Sequence, residues 1–394
     1  MERENRPLEA WFWTRKALSL SYVGRDVEAI QCYDESIRIY PHLSDTWQGK
    51  AFSLSHLQRF EEAIQCYDKA LEIEPNGSDI WYGKAGALHG LGKYEEAIEC
   101  LDKAIEIEPN YVFAWALKGA FLNDLGKHEE AIRACDKALI LNPRNYQLWY
   151  NKGSSLQYLG KYQEAIHCYD KALEIEPEYV VAWYNKGMSL NFLGRTKEAI
   201  QCYDKATEIE PEYIYAIDNK GVILLNEGHV KNAIECFDRS IEIDPSNIHG
   251  WLNKANALAL YSLNSYDEAL ECAEKALEID PNMVEAWAAK CKILLAAGQY
   301  DESIESCDKA LQLEPNNSRM WAIKSTILLE LGRYDESIES CDKALQLDHD
   351  NERVWQNKAE ALEKLGRLIE ADKCHNEAKR IGSNYAKGAE RYLD

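Results

Sequence analysis

Residues Val180 to Tyr213 read VVAWYNKGMSLNFLGRTKEAIQCYDKATEIEPEY, and the fold follows from this stretch. Trp183, Gly187 and Leu190 stand at i, i+4 and i+7, one face of a helix that the spacing predicts over about Val180 to Leu193. Gly194 comes next; only glycine takes φ > 0 without penalty, so it ends the helix there. A second helix is predicted over about Lys197 to Ile209, with Ala199, Tyr203 and Ala206 on its inner side. Pro211 prevents its continuation. Neither helix can bury its stripe alone, so the unit must stack on copies of itself.

The copies are present. Trp13, Trp47, Trp81, Trp115, Trp149 and Trp183 recur every 34 residues, and after Ile217 the series resumes with Trp251, Trp287, Trp321 and Trp355. Nine of the ten prolines, from Pro41 to Pro315, keep the same period. With tryptophan at position 4, eleven repeats cover residues 10–385, between tails 1–9 and 386–394. The eighth (248–283) carries two extra residues around Tyr261 to Ser265. Positions 8, 20 and 27 are small in every repeat, which lets neighbouring helices approach closely.

This pattern, Trp-x2-Lys-Gly-x2-Leu…Ala-x3-Tyr-x2-Ala…Pro, resembles the tetratricopeptide repeat over almost the whole chain. The resemblance implies an all-α, right-handed α-solenoid superhelix of helix-turn-helix repeats, with first helices on the concave face and second helices on the convex face. It also implies a protein that binds other proteins. Asn-Lys-Gly and Tyr-Asp-Lys-Ala throughout are similar to repeats abundant in archaea and bacteria. One departure is systematic: position 7, usually leucine in the family, is lysine in all eleven repeats, Lys16 to Lys358.

Composition narrows the function classes. At 46% hydrophobic residues the chain has enough apolar surface for a core. A net charge of −22 argues against nucleic-acid and anionic-membrane partners. No apolar run reaches a membrane span and the N-terminus lacks a signal-peptide pattern, so a cytoplasmic protein is expected. Of the twelve cysteines, eight sit at position 23 and three at position 24, with only Cys291 on a first helix. Helices pack about 8–10 Å apart while a disulfide needs its α-carbons within about 7 Å, so these thiols read as buried filler. No Cys-x2-Cys pair points to a metal and no cofactor motif occurs. Nucleophile-elbow, P-loop and zinc-protease motifs are likewise missing, so no enzyme activity is expected. His56 and His89, read as lying near Asp45 and Asp79, are scattered groove groups. Acidic pairs such as Glu61-Glu62 read as solvated surface. The lysine of position 7 reads as pairing with the acid of position 25 on a neighbouring helix.

Specificity is expected at positions 2, 5, 6, 9, 12 and 13, which lie opposite the core stripe of the first helix. Position 6 holds Asn151, Asn185, Asn219 and Asn253 in four successive repeats. A primary amide both donates and accepts, so a row of them can pair with the backbone of an extended peptide; the family resemblance implies that use. Tyr150 and Tyr184 at position 5, Tyr158 and Phe192 at position 13, Gln147 and Asn191 surround the row. Lys292, Arg319 and Arg353 form a lesser basic set in the last three repeats, suited to an acidic-hydrophobic segment. The family's carboxylate clamp is not matched, because position 5 holds no lysine. The expected function is a non-enzymatic scaffold that binds an extended peptide or partner segment in the concave groove. Self-association through the ends, giving a homo-oligomer, is the alternative.

Overall fold

A computed structural model describes residues 6–261 and 265–390. Twenty-two helices and no strand occur among the described residues, numbered α1 to α22 in chain order. They alternate as first and second helices of a repeat: α1 (Arg6–Tyr22) with α2 (Asp26–Ile39), and so on to α21 (Glu352–Lys364) with α22 (Leu368–Glu390). The protein is therefore an all-α solenoid of eleven helix pairs. The founding stretch forms α11 (Val180–Phe192) and α12 (Thr196–Ile209), each within a residue of its predicted end. The chain divides into two compact units, 1–205 and 206–394.

Within each unit the core is a chain of small clusters along the stacked helices. Ala63, Ala97, Ala131 and Ala165 at position 20, and Ala70, Ala104, Ala138 and Ala172 at position 27, are completely buried. A larger side chain at either place would hold the helices apart. Where position 20 is serine its hydroxyl is satisfied: Ser303 Oγ donates to Cys291 O at 2.7 Å and Ser337 Oγ to Ser325 O at 2.8 Å.

The shared period of tryptophan and proline has a direct cause. Eight indole Nε1 groups donate to the carbonyl of the proline six residues earlier, at 2.9–3.0 Å from Trp47–Pro41 to Trp321–Pro315. The tryptophan thus ties its first helix to the turn it emerges from. In the last repeat His349 replaces the proline, and Trp355 bonds to its carbonyl at 2.9 Å. Only the carbonyl is needed.

Position 7 pairs across repeats. Lys50 Nζ reaches Asp34 of the preceding repeat at 2.6 Å, and Lys84–Asp68, Lys152–Asp136, Lys186–Asp170, Lys254–Asp238, Lys290–Glu274, Lys324–Asp308 and Lys358–Asp342 repeat the contact at 2.5–2.8 Å. Lys118 pairs likewise with Asp102. Burial works to lower the Lys152 pKa, but the hydrogen bond to Asp136 and its charge outweigh it and leave the ammonium above its ordinary value. Such half-exposed pairs contribute ~0–1 kcal/mol each; their regular spacing sets the register between repeats. Several acids read as plain surface are also engaged: Glu62 is held by Arg59 at 2.7 Å, and Arg195–Glu198 and Arg367–Glu370 repeat that geometry.

Nine glycines end first helices at φ between 71° and 82°. In the second repeat Gln58 takes their place at φ 58°, a conformation that L residues with a side chain disfavour. The two-residue insertion of the eighth repeat falls mainly on residues 262–264, outside the described residues. At the far end α22 runs unbroken to Glu390, through the expected start of a tail at 386; α1 likewise begins at Arg6, ahead of the expected repeat start. No proline follows Leu368 to stop the last helix.

All twelve cysteines are free thiols, and all but Cys236 are buried. Cys291 and Cys307 approach one another most directly, yet both remain free thiols, as the spacing argument expects. Their side chains are hydrogen-bonded to one another across the ninth repeat. Cys291 occupies position 8, the small-residue position that is glycine in the fourth to seventh repeats.

Candidate functional site

In the first unit, α9 (Tyr146–Tyr158) and α11 present the expected wall. Tyr150, Asn151 and Tyr158 share a cavity of about 520 Å³ with Asn123, Ser154 and His128. Tyr158, 74% exposed, stacks on His128 with ring centroids 4.8 Å apart. Phe192, 62% exposed, stacks on Tyr162 at the same distance. Each ring at position 13 is thus propped on the second helix of the preceding repeat, which fixes it while leaving its other face open.

The amides are less free than the sequence suggested. Asn185 Nδ2 donates to Tyr150 Oη and to Val181 O, both at 3.1 Å. Its two hydrogens are committed, so the carbonyl oxygen is what it offers. Asn151 differs: its backbone carbonyl takes bonds from Asn123 and Ser155, while its side chain faces the cavity. Burial pushes the Tyr150 phenol up, partly opposed by the Asn185 bond, so it stays a neutral donor. Tyr184 lies 6.0 Å from Tyr203, ring centre to ring centre. Gln147 and Asn191 are exposed on the rim.

In the second unit the structure joins two groups that the sequence reading kept apart. Asn253, Lys292 and Arg319 line one cavity of about 480 Å³, with His249, Asn256 and Glu314. Burial lowers the Lys292 pKa, and the neighbouring Arg319 charge adds to this. Arg353 is exposed and lies outside that lining. Asn219 is half-buried on α13 (Ile214–Asn226), beside Asp218, whose Oδ2 accepts from Asn247 Nδ2 at 2.8 Å. Asp218 Oδ1 is the buried side-chain oxygen without a partner among the described residues. Asn357, also at position 6, donates to Ser325 Oγ at 3.1 Å and Thr326 Oγ1 at 2.8 Å.

His56 lines one cavity with Asp45 and Asp79, as expected, but each histidine is bonded to a different acid. His56 Nδ1 sits 3.3 Å from Asp26, one repeat back, and His89 Nε2 2.8 Å from Asp124, one repeat on. Among the described residues no group of three or more His, Cys, Asp or Glu is arranged to hold a metal ion. No described helix is long and apolar enough to cross a membrane.

A larger concavity than either of these is one the sequence reading did not single out. It measures about 780 Å³ and lies on the first helices of repeats one to four, around Gly49, Gly83 and Gly86. Apart from Ala87, its lining falls at the six groove positions and at the tyrosines of position 24. Glycine at positions 6 and 9 (Gly49, Gly83 and Gly86) is the signal of it in the sequence.

These elements together define a repeat scaffold with a variable inner wall. Models of the tetratricopeptide repeat match residues 44–76, 78–111, 112–145, 146–179, 180–213, 214–247, 260–327 and 318–351. The chain belongs to the tetratricopeptide repeat family. Among solved structures it is similar to yeast Tom70 at 16% identity, covering 98% of this chain and 96% of that one, with a TM-score of 0.50. The anaphase-promoting complex hetero-tetramer Cut9–Hcn1 aligns at 13% identity over 88% of both chains, with a TM-score of 0.51. The C-terminal part of a repeat protein from Cytophaga hutchinsonii aligns at 16% identity, covering 60% of this chain and 97% of that one, with a TM-score of 0.52. No curated protein matches the chain.

Proposed function

We propose that the chain is a non-enzymatic scaffold that holds extended segments of partner proteins against its first-helix faces. The observation that carries this reading is the wall formed by α9 and α11. There, propped and exposed Tyr158 and Phe192 stand beside Asn151 and the remaining acceptor of Asn185. Rigid aromatic area with adaptable amides is the composition of a recognition surface. Tyr184, Gln147 and Asn191 belong to its rim. Asn219 and Asn253 extend the same chemistry to the second unit, where half-buried Lys292 with Arg319 favours a carboxylate on the bound segment. Arg353, outside that cavity, contributes at most long-range attraction.

The test is an affinity pull-down with mass spectrometry, run with the parent protein and with Asn151, Asn185 and Asn219 changed together to alanine. Partners retained by the parent and lost by the triple variant, at unchanged helicity, support the reading; equal capture refutes it. Lys292→Glu with Arg319→Glu separates the second unit, because only partners with acidic segments respond.

A further inference from the structure

The cavity around Gly86 has a chemistry of its own. Position 8 is alanine in the first two repeats (Ala17 and Ala51), and position 6 is glycine in the second and third (Gly49 and Gly83). Tyr33 and Tyr67 therefore lean onto the next repeat, their ring tips 2.5 and 2.7 Å from where a Cβ of Gly49 and Gly83 would stand. In the fifth and sixth repeats the reverse holds: Tyr169 and Tyr203 lie against Gly153 and Gly187 of their own repeat, and asparagine fills position 6. The exchange carries two tyrosine rings to the groove and leaves a hollow beside them. Nothing lies within 4 Å of the point where a Cβ of Gly86 would stand.

The hollow is apolar and aromatic below and acidic above. Leu18 (44% exposed), Phe52 (51% exposed), Tyr82 and Leu117 line it, with Asp45 and Asp79 exposed on adjacent first helices. The Tyr111 hydroxyl is hydrogen-bonded to Asp79, fixing that carboxylate at the rim. Among the described lining residues there is no lysine or arginine. His56 is turned to Asp26, at 3.3 Å. Aromatic walls with carboxylates at the mouth suit a side chain that has an apolar stem and a cationic head.

We propose that this cavity seats an arginine or lysine of a partner segment, its stem on Phe52, Tyr82 and Leu18 and its head at Asp45 and Asp79. An apolar neighbour on the same segment covers the rest of the floor. The site rests on the reading of the chain as an interaction scaffold but not on the asparagine row, which lies in other repeats.

The test is fluorescence anisotropy on the full chain with a short labelled peptide of alternating arginine and leucine. Reference peptides carry glutamate for arginine, or serine for leucine. Gly86→Leu fills the hollow without changing charge, and its Cβ meets nothing within 4 Å, so it reports the cavity apart from the general attraction of an acidic protein for a basic peptide. The expected result is binding of the Arg-Leu peptide alone, weakened about tenfold or more by Gly86→Leu, the usual effect of losing one buried anchor. Asp45→Asn with Asp79→Asn weakens it similarly, and the triple asparagine variant leaves it unchanged. Gly86→Leu melts no lower than the parent, so its loss is not unfolding. Equal binding by Gly86→Leu, equal binding of either reference peptide, or no binding overturns the proposal. Loss in the triple asparagine variant alone also overturns it, while supporting the asparagine wall.

Discussion

Alanine in place of glycine should have opposite effects at two first-helix sites, Gly86 on α5 (Ser78–Gly90) and Gly153 on α9. Helix propensity alone favours alanine at both by about 0.8–1.0 kcal/mol. At Gly86 nothing stands within 4 Å of the new Cβ, so the gain is realised in full. At Gly153 the Cβ would lie 2.7 Å from Tyr169 Cε1, 3.0 Å from Cδ1 and 3.2 Å from Cys168 Cβ, inside the ~3.5–4.0 Å optimum for carbon contacts. The Tyr169 ring cannot swing aside: it is completely buried and its hydroxyl donates to Gln157 Oε1 at 2.8 Å. Overpacking of this kind costs about 1–3 kcal/mol, so Gly153→Ala should come out between neutral and about 2 kcal/mol destabilised after the propensity gain. Repeat arrays lose stability locally and a global melt blends their parts. Native-state hydrogen exchange, read on peptides from 78–104 and 146–172, is therefore the assay. Gly86→Ala should raise protection in the first window and Gly153→Ala should lower it or leave it flat in the second. An equal rise in both would show that the Tyr169 contact does not constrain the repeat.

Two further predictions concern titratable groups. Burial raises the Asp218 pKa, so below about pH 4 the folded and unfolded chains both hold the proton and the residue costs little. As pH rises through the raised folded value, the unfolded chain has already lost its proton and stability falls. Asp218→Asn should thus melt higher than the parent at pH 7, with the gap closing in acid; a gap independent of pH would contradict this. Burial also pushes the thiols of Cys100, Cys168, Cys202, Cys272 and Cys341 up to about 11, from an ordinary 9.0. Since the thiolate is the reacting form, their alkylation at pH 8 should run about a hundredfold slower in the native protein than in urea. Half-buried Cys236 should label first, and equal rates measured by mass spectrometry would show that these thiols are not held in a dry interior.

The sequence by itself determined the repeat, its register and most of its helix ends. Tryptophan, proline and small residues recur at fixed spacing because each serves a contact that every repeat makes. Position 7 lysine with position 25 acid was legible for the same reason, and the pairs form as expected. It also placed the six groove positions, since helical geometry alone says which side faces away from the core.

Tertiary structure decided what those positions hold. Asn185 looked like a free amide, but its hydrogens are spent on Tyr150 and Val181, a contact no one-dimensional pattern announces. Asn253 and Lys292 share a cavity although they belong to different repeats. The hollow at Gly86 exists because alanine at position 8 in the first two repeats tips Tyr33 and Tyr67 onto the glycines of the following ones. That outcome depends on ring volume and on the space left between neighbouring helices. Periodicity fixes where a side chain starts, and packing against the next repeat fixes where it ends.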